Sequence, residues 1–206
     1  MDLLIPLRDL VLKHNLTLKP SKSILFTTTV NFVGHEIDRT GVRPLKDNVA
    51  PLQNLKYPTN PEQLRRDLGF FGYYRHLIPN FSTIAAPLQK LIKLLPNSRR
   101  KLDTNVFQWN ETCSTAYDTL KTALMEQPLV HHPVYGDNDN FPWILTTDAS
   151  QTGYGAVLSQ GRKTTIGDGF SEYPIAYAST SVLPQHRSNA PAQLEMRAVL
   201  WALRKF

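Results

Sequence analysis

Across 206 residues there is a single cysteine, Cys113. A lone thiol excludes an intrachain disulfide and a cysteine-based zinc site, and it suits a reducing compartment. No apolar run approaches the ~18–20 residues that a membrane span requires. The opening Met1-Asp-Leu-Leu has neither the basic start nor the long apolar stretch of a secretory signal. Cytoplasm or nucleus is the expected location, with no membrane partner. A glycine-rich phosphate loop of the Walker or dinucleotide type is also missing, as is a Gly-x-Ser-x-Gly elbow. There is no internal repeat and no low-complexity tract.

What is present describes a folded chain. Hydrophobic residues make up 41% and charged residues 19%, a balance that suits a packed core rather than disorder. A net charge of +6 is compatible with a polyanionic partner without proving one. Fifteen prolines, spread along the chain, imply many short elements broken by turns.

The first third reads as a helix followed by strands. Leu3, Leu4, Leu7, Leu10 and Val11 recur at helical spacing, which predicts an amphipathic helix over residues 2–15. Asn15 to Phe26 alternates around Pro20 and suits a short edge strand and a turn. Val30 to Ile37 reads as one strand. Asp38-Arg-Thr-Gly41 then forms a turn into Val42-Arg-Pro, and the pair makes a β-hairpin.

Three helical segments follow. Lys46 to Leu55 contains Pro51, so it starts late or kinks. The next has a clear start, with Asn60 as N-cap, Pro61 at the first position and Gln63 three residues on. Leu64, Leu68 and Phe71 give it one apolar face, while Gly69 and Gly72 suggest close packing by something else. The third runs from Ser82 to about Leu95. Together they make a small bundle. Pro96 to Val106, with Arg99, Arg100 and Lys101, reads as an exposed linker. Asn110 caps another helix, in which Cys113 reads as core rather than nucleophile.

The last third changes character. Strands are expected at Trp143–Asp148, from Gly153 and from Tyr173, with a polar loop from Gln160 to Glu172. A helix from about Pro191 follows. The order β-β-β-α makes a mixed sheet with a packed helix, so the class is α+β (α/β).

Two carboxylates stand out. Asp148 ends an apolar strand ahead of a tight turn. By local pattern alone the simpler reading is a turn-forming residue bonded to its own backbone. Glu195, placed in the first turn of the last helix, reads when taken alone as a solvated or capping residue favoured by the helix dipole. If the helix packs across the sheet, the two could converge on one Mg²⁺, which takes oxygen ligands, waters and substrate phosphate. Two such ions about 4 Å apart are what phosphodiester hydrolysis uses, and two carboxylates are too few to hold both. His131 and His132 are adjacent and point apart, without further ligands for zinc. The second helix mixes Arg65, Arg66, Phe70, Phe71, Tyr73, Tyr74, Arg75 and His76. This is equally a phosphate-contacting face or a core face with solvated arginines.

These motifs resemble a known family. Phe32-Val-Gly-His-Glu-Ile37, a turn and Gly41-Val-Arg-Pro44 are similar to the primer-grip hairpin of reverse transcriptases from Ty3/gypsy-type long-terminal-repeat retrotransposons. Leu68-Gly-Phe-Phe-Gly-Tyr-Tyr-Arg-His-Leu-Ile-Pro-Asn-Phe-Ser82 and Ala86-Pro-Leu88 resemble that family's thumb. Phe107-Gln-Trp-Asn, Cys113, Ala116-Tyr and Leu120-Lys resemble its connection. Thr147-Asp-Ala-Ser150, Gly153 to Ser159, Pro174 to Ser179 and Glu195 to Leu203 resemble its ribonuclease H (RNase H) domain.

The resemblance implies a layout. Residues 1–45 would be the end of the polymerase palm with the hairpin, 46–98 the thumb, 99–140 the connection, and 141–206 the N-terminal part of an RNase H-like domain. Asp148 and Glu195 would be catalytic metal ligands for Mg²⁺ in a two-metal site. Phe32, Val33, Gly34 and His35 would hold the primer terminus. Arg65, Gly69, Gly72, Tyr73 and Arg75 would lie along an RNA–DNA hybrid or duplex.

The sequence also departs from the family. The family's Tyr-x-Asp-Asp polymerase hairpin has no counterpart, nor do the later RNase H carboxylates. Asn189 replaces a tyrosine common in the family, and the stretch from Leu95 to Phe107 is longer than usual. The expectation is a slice of a Pol polyprotein that would act with the rest of it, binding nucleic acid weakly and catalysing little. A non-catalytic nucleic-acid-binding or interaction module and a degenerate reading frame without function are the alternatives.

Overall fold

The computed structural model describes residues 4–93, 107–137, 139–163 and 170–206. Among them are six α-helices and two sheets. The α+β class stands, but every strand pairing is antiparallel, so the expected mixed sheet is not what these residues form. No helix among the described residues is long and apolar enough to cross a membrane.

Helix α1 spans Leu4–Lys13. Beyond it the expected edge strand at Asn15–Phe26 is absent. Pro20–Lys22 is instead a 3-10 turn, and Asn15 and Phe26 both have positive φ. Pro20 has no N–H for a ladder, and the Ser23 hydroxyl donates to the Lys19 carbonyl, which favours the turn.

The expected single strand over Val30–Ile37 is two strands: β1 (Thr29–Phe32) and β2 (His35–Asp38). Val33 (φ 44°) and Gly34 (φ 72°) form the tip between them, the positive-φ pair that a tight two-residue hairpin needs. Strand β3 (Gly41–Pro44) pairs with β2, and β4 (Val130–His131) returns from far along the chain to pair with β3. The meander thus has its first turn where a continuous strand was expected.

Pro51 changes the helix type. Helix α2 covers only Lys46–Val49, and Ala50–Asn54 continues as 3-10. Helix α3 (Pro61–Tyr73) starts as its sequence signals: Asn60 Oδ1 accepts from the Gln63 N–H at 2.9 Å. Helix α4 (Phe81–Lys93) carries Pro87, and α5 (Glu111–Met125) is capped by Asn110, which accepts from the Cys113 N–H at 2.9 Å. Leu64, Phe71, Leu77, Leu88, Leu120 and Leu124 form the shared core of these helices, with Cys113 inside it. Burying each such side chain contributes roughly 1.5–3 kcal/mol. The expected linker at Pro96–Val106, and Leu95 at the end of the third helix, lie outside the described residues.

The C-terminal unit is β5 (Trp143–Ala149), β6 (Gly153–Lys163), β7 (Phe170–Ser181) and α6 (Pro191–Lys205). Both long strands extend into the stretch expected to be loop, of which residues 164–169 are not described. Helix α6 packs on β5 and β6. Its Leu194 and Ala198 join Tyr154, Val182, Ala149 and Trp201 in a second, smaller core.

Candidate nucleic-acid interface and carboxylate site

The hairpin tip and the end of α3 meet. Val33 is β-branched and held at positive φ, an outlier that persists only when its surroundings impose it. Those surroundings are specific. The Tyr73 hydroxyl and His35 Nδ1 both bond the Val33 carbonyl, and the Tyr74 hydroxyl donates to the Gly34 carbonyl at 2.9 Å. Asn48 Nδ2 donates to that same tyrosine oxygen at 3.1 Å. The His35 ring lies 5.1–5.4 Å from the rings of Tyr73, Tyr74 and His76. Burial first, and the neighbouring His35 second, hold the His76 imidazole below its ordinary pKa. Phe32 and Val33, 63% and 62% exposed, stand free at the tip.

The α3 face beside this tip is open. Arg65, Gly69, Gly72 and Tyr73 fall at i, i+4, i+7 and i+8, which is one side of a helix. Arg65 has no salt bridge among the described residues. The close packing expected at Gly69 and Gly72 is not supplied by the described residues. A Cβ at either position would meet nothing within 4 Å. Arg75 differs from the rest of the expected set. Its Nη2 donates to the Ser179 carbonyl at 2.7 Å and to the Ser82 hydroxyl at 3.3 Å.

The second site is built on β5. Asp148 pairs with Gly155, which pairs in turn with Ser179. Cross-strand partners share a face, so these three form one row. The next row, Ala149 and Tyr154, carries the contact with α6. Alternation therefore places Asp148 on the face opposite the packed stripe of α6. Glu195 follows Leu194 on that helix, just past its first turn, which has no acidic residue. The expectation that it lies within the first turn is corrected by one position. Both carboxylates are exposed, and neither forms a salt bridge among the described residues.

No group of three or more His, Cys, Asp or Glu residues that could hold a metal exists among the described residues. As hard oxygen donors Asp148 and Glu195 have the right chemistry for Mg²⁺, in a set that is short in number. His131 and His132 do point apart: one stacks on Tyr173 at 4.9 Å, and the other bonds the Asp38 carbonyl at 2.8 Å.

Sequence reasoning missed the seam between the two units. Ser82 and Ser179 are buried and joined: the Ser82 N–H donates to Ser179 Oγ at 2.9 Å, and the two hydroxyls bond at 3.1 Å. It also missed Asp67, buried in α3 and receiving the Tyr117 hydroxyl at 2.9 Å. No short-range signal marks either, because the partners lie 97 and 50 residues apart.

An exposed hairpin tip braced by a helix, followed by a β-β-β-α unit, is a fold shared with solved protease-reverse transcriptases. Residues 109–206 match the family described as the RNase H-like domain found in reverse transcriptase. The chain is related to retrotransposon Pol polyproteins. It is 30% identical over 192 residues to the retrovirus-related Pol polyprotein from transposon 297 of Drosophila melanogaster, covering 93% of this chain and 16% of the relative. It is 28% identical over 190 residues to the transposon Tf2-3 polyprotein of Schizosaccharomyces pombe, covering 92% and 13%. The chain thus spans only a small part of the curated relatives it matches.

Two solved structures share the fold. The foamy viral protease-reverse transcriptase in complex with RNA/DNA hybrid matches at TM-score 0.68 and 23% identity, covering 90% of this chain and 23% of that one. The form of that enzyme designated dRH, in complex with double-stranded DNA, matches at TM-score 0.70 and 22% identity, covering 96% and 31%.

Proposed function

We propose that this chain grips an RNA–DNA hybrid or duplex with its hairpin tip and the open face of α3, as part of a Ty3/gypsy-type Pol polyprotein. The observation that carries this reading is the empty space at Gly69 and Gly72. A glycine in a helix interior, as at Gly69, costs roughly 1 kcal/mol against alanine, and no close contact among the described residues offsets it. A missing side chain allows a ligand backbone to approach closely. Arg65 on the same face is placed to meet phosphate, and Tyr73 to meet sugar or phosphate. Phe32, Val33, Gly34 and His35 stand at the end of that track, where a strand terminus would rest. The complexes of the foamy viral enzymes that share the fold, with hybrid and with duplex, support the same class of partner.

In the parent polyprotein the activities would be Mg²⁺-dependent DNA synthesis and hydrolysis of the RNA strand, in the cytoplasm or nucleus. The resemblance names Asp148 and Glu195 as the cation's ligands in the hydrolytic site; the register sets Asp148 on the sheet face away from α6, so Glu195 would have to reach it around the β5 edge. Magnesium, when bound, supplies charge stabilisation to the entering and leaving oxygens of a phosphodiester. In this chain Asp148 offers an exposed carboxylate on a rigid strand, and α3 with the hairpin orients the duplex. The short donor set favours binding over turnover. A non-catalytic nucleic-acid-binding module is therefore the second reading.

The test is fluorescence anisotropy of a labelled RNA–DNA hybrid across a salt series. Micromolar or weaker affinity that falls steeply with salt is expected. Failure to bind at low salt would remove the reading. Hydrolysis of the hybrid in Mg²⁺, abolished by Asp148→Asn, would show that the chain is catalytic after all.

A further inference from the structure

A cleft opens where the helical unit meets the C-terminal unit. It encloses about 1030 Å³ between α4, the start of α5 and the end of the sheet at which Gly153 pairs with Ser181. One side of it is closed by contact. A Cβ at Gly153 would stand 2.6 Å from the Thr83 hydroxyl, so α4 meets the first residue of β6 where that residue has no side chain. Ser82, one position earlier, is bonded to Ser179. The cleft is therefore a pre-formed part of the seam.

Its lining carries one sign of charge. Among the described residues that line it, Lys90 and Arg187 are charged and no carboxylate joins them. Neither forms a salt bridge among the described residues. They lie 97 positions apart in sequence, and the seam brings them to the same walls. A cleft lined by one sign of charge concentrates the field and draws the opposite charge. Asn110, Thr152 and Ser181 add amide and hydroxyl groups to those walls, the kind that bond phosphate and sugar oxygens.

Trp109 lines the cleft as well. Its ring is half-buried and held from behind. The indole N–H donates to Ser114 Oγ at 2.8 Å, and the ring rests 5.6–6.2 Å from those of Tyr57, Tyr117 and Phe107. An aromatic ring already fixed loses little freedom when a base stacks on it.

We propose that this cleft binds a single-stranded stretch of nucleic acid, with Lys90 and Arg187 on its phosphates and a base against Trp109. Size favours one strand: the cleft has room for a few nucleotides and not for the width of a duplex. Cations along the backbone combined with an aromatic platform are the chemistry of sequence-tolerant single-strand binding. No residue of α3 or of the hairpin lines the cleft, so the site is separate from the duplex grip and stands whether or not that reading holds.

The test uses the whole chain and a fluorescein-labelled octathymidylate, read by anisotropy at low salt. Binding is expected, with quenching of tryptophan fluorescence that Trp109→Phe removes. Lys90→Ala and Arg187→Ala should each weaken it several-fold and lower its salt slope by about 0.7, while affinity for a blunt RNA–DNA hybrid stays unchanged. Both cations are exposed, so these variants keep the fold. Ser181→Trp, at another exposed position, should fill the cleft and block the oligonucleotide. Four results overturn the proposal: no binding at low salt; affinity indifferent to both cation variants; loss of binding in Arg65→Ala, which would put the strand on α3; and displacement by inorganic pyrophosphate as effective as by unlabelled oligonucleotide, which would reduce the cleft to a small-anion site.

Discussion

Arg75 Nη2 lies 2.7 Å from the carbonyl oxygen of Ser179, a bond from the helical unit to strand β7 of the C-terminal sheet. The sequence places this arginine among phosphate-contacting residues; the structure engages it inside the protein. Arg75→Ala should cost ~1–3 kcal/mol, the range for leaving a partly buried polar group unpaired, read by urea unfolding. It should leave the salt dependence of hybrid binding unchanged, whereas Arg65→Ala should lower the slope by about 1. A lowered slope for Arg75→Ala would return that residue to the duplex.

Tyr117→Phe tests the helical core. The Tyr117 hydroxyl donates to Asp67, whose carboxylate is 5% exposed and also takes Arg66. Burial first, and the bond to Asp67 second, push the tyrosine pKa well up, so it remains a donor at any working pH. Losing the hydroxyl strands a buried carboxylate oxygen. A loss of ~1–3 kcal/mol in denaturant unfolding is expected. A neutral variant would mean that water replaces the tyrosine.

Acidification should loosen the brace under the hairpin. His76 has its pKa lowered by burial and by His35, so the unfolded chain takes up a proton before the folded one does. Stability is then full above about pH 6.5, the unpaired value, and is lost as pH falls from there toward the folded pKa. His131, lowered chiefly by burial, contributes with the same sign. Urea midpoints at pH 7.5 and 5.5 should differ, and His76→Gln should shrink the difference. An equal shift in wild type and variant would absolve His76.

Gly41→Ala should detach β4 from β3. A Cβ there would sit 2.0 Å from the Val130 carbonyl oxygen, and the residue has φ 154°. Backbone in such a region costs a non-glycine residue on the order of 1–3 kcal/mol, and the clash is added to that. Faster amide exchange at Val130 and His131 is the expected readout; unchanged protection would show that the strand shifts to accommodate the methyl.

The parts of the fold legible in the sequence are those written in local chemistry. Asn60 and Asn110 announce their helices because a cap needs only three neighbouring residues. The β5-β6-β7-α6 order follows from alternation and a tight turn. Turns that need positive φ at a non-glycine residue left no such sign: Val33 reads as a strand former, and it is the tip of a hairpin because Tyr73 and His35 bond its carbonyl. Of the candidate site, the sequence names candidate residues but not the side of the sheet on which they stand. Which face Asp148 occupies depends on its register with Gly155. What stands against Gly155 on that face is the Asn80 amide, from a segment far away in sequence.

Cys113 has one more use. Its thiol is 3% exposed, inside the packing of α4 and α5. Thiol reagents should therefore modify the native chain only as fast as that core opens, making the modification rate a clock for opening. The same seclusion leaves the surface clear for labelling. A dye attached through an engineered cysteine on the hairpin or on β7 would report from one place, and the separation of the two units could be followed in solution.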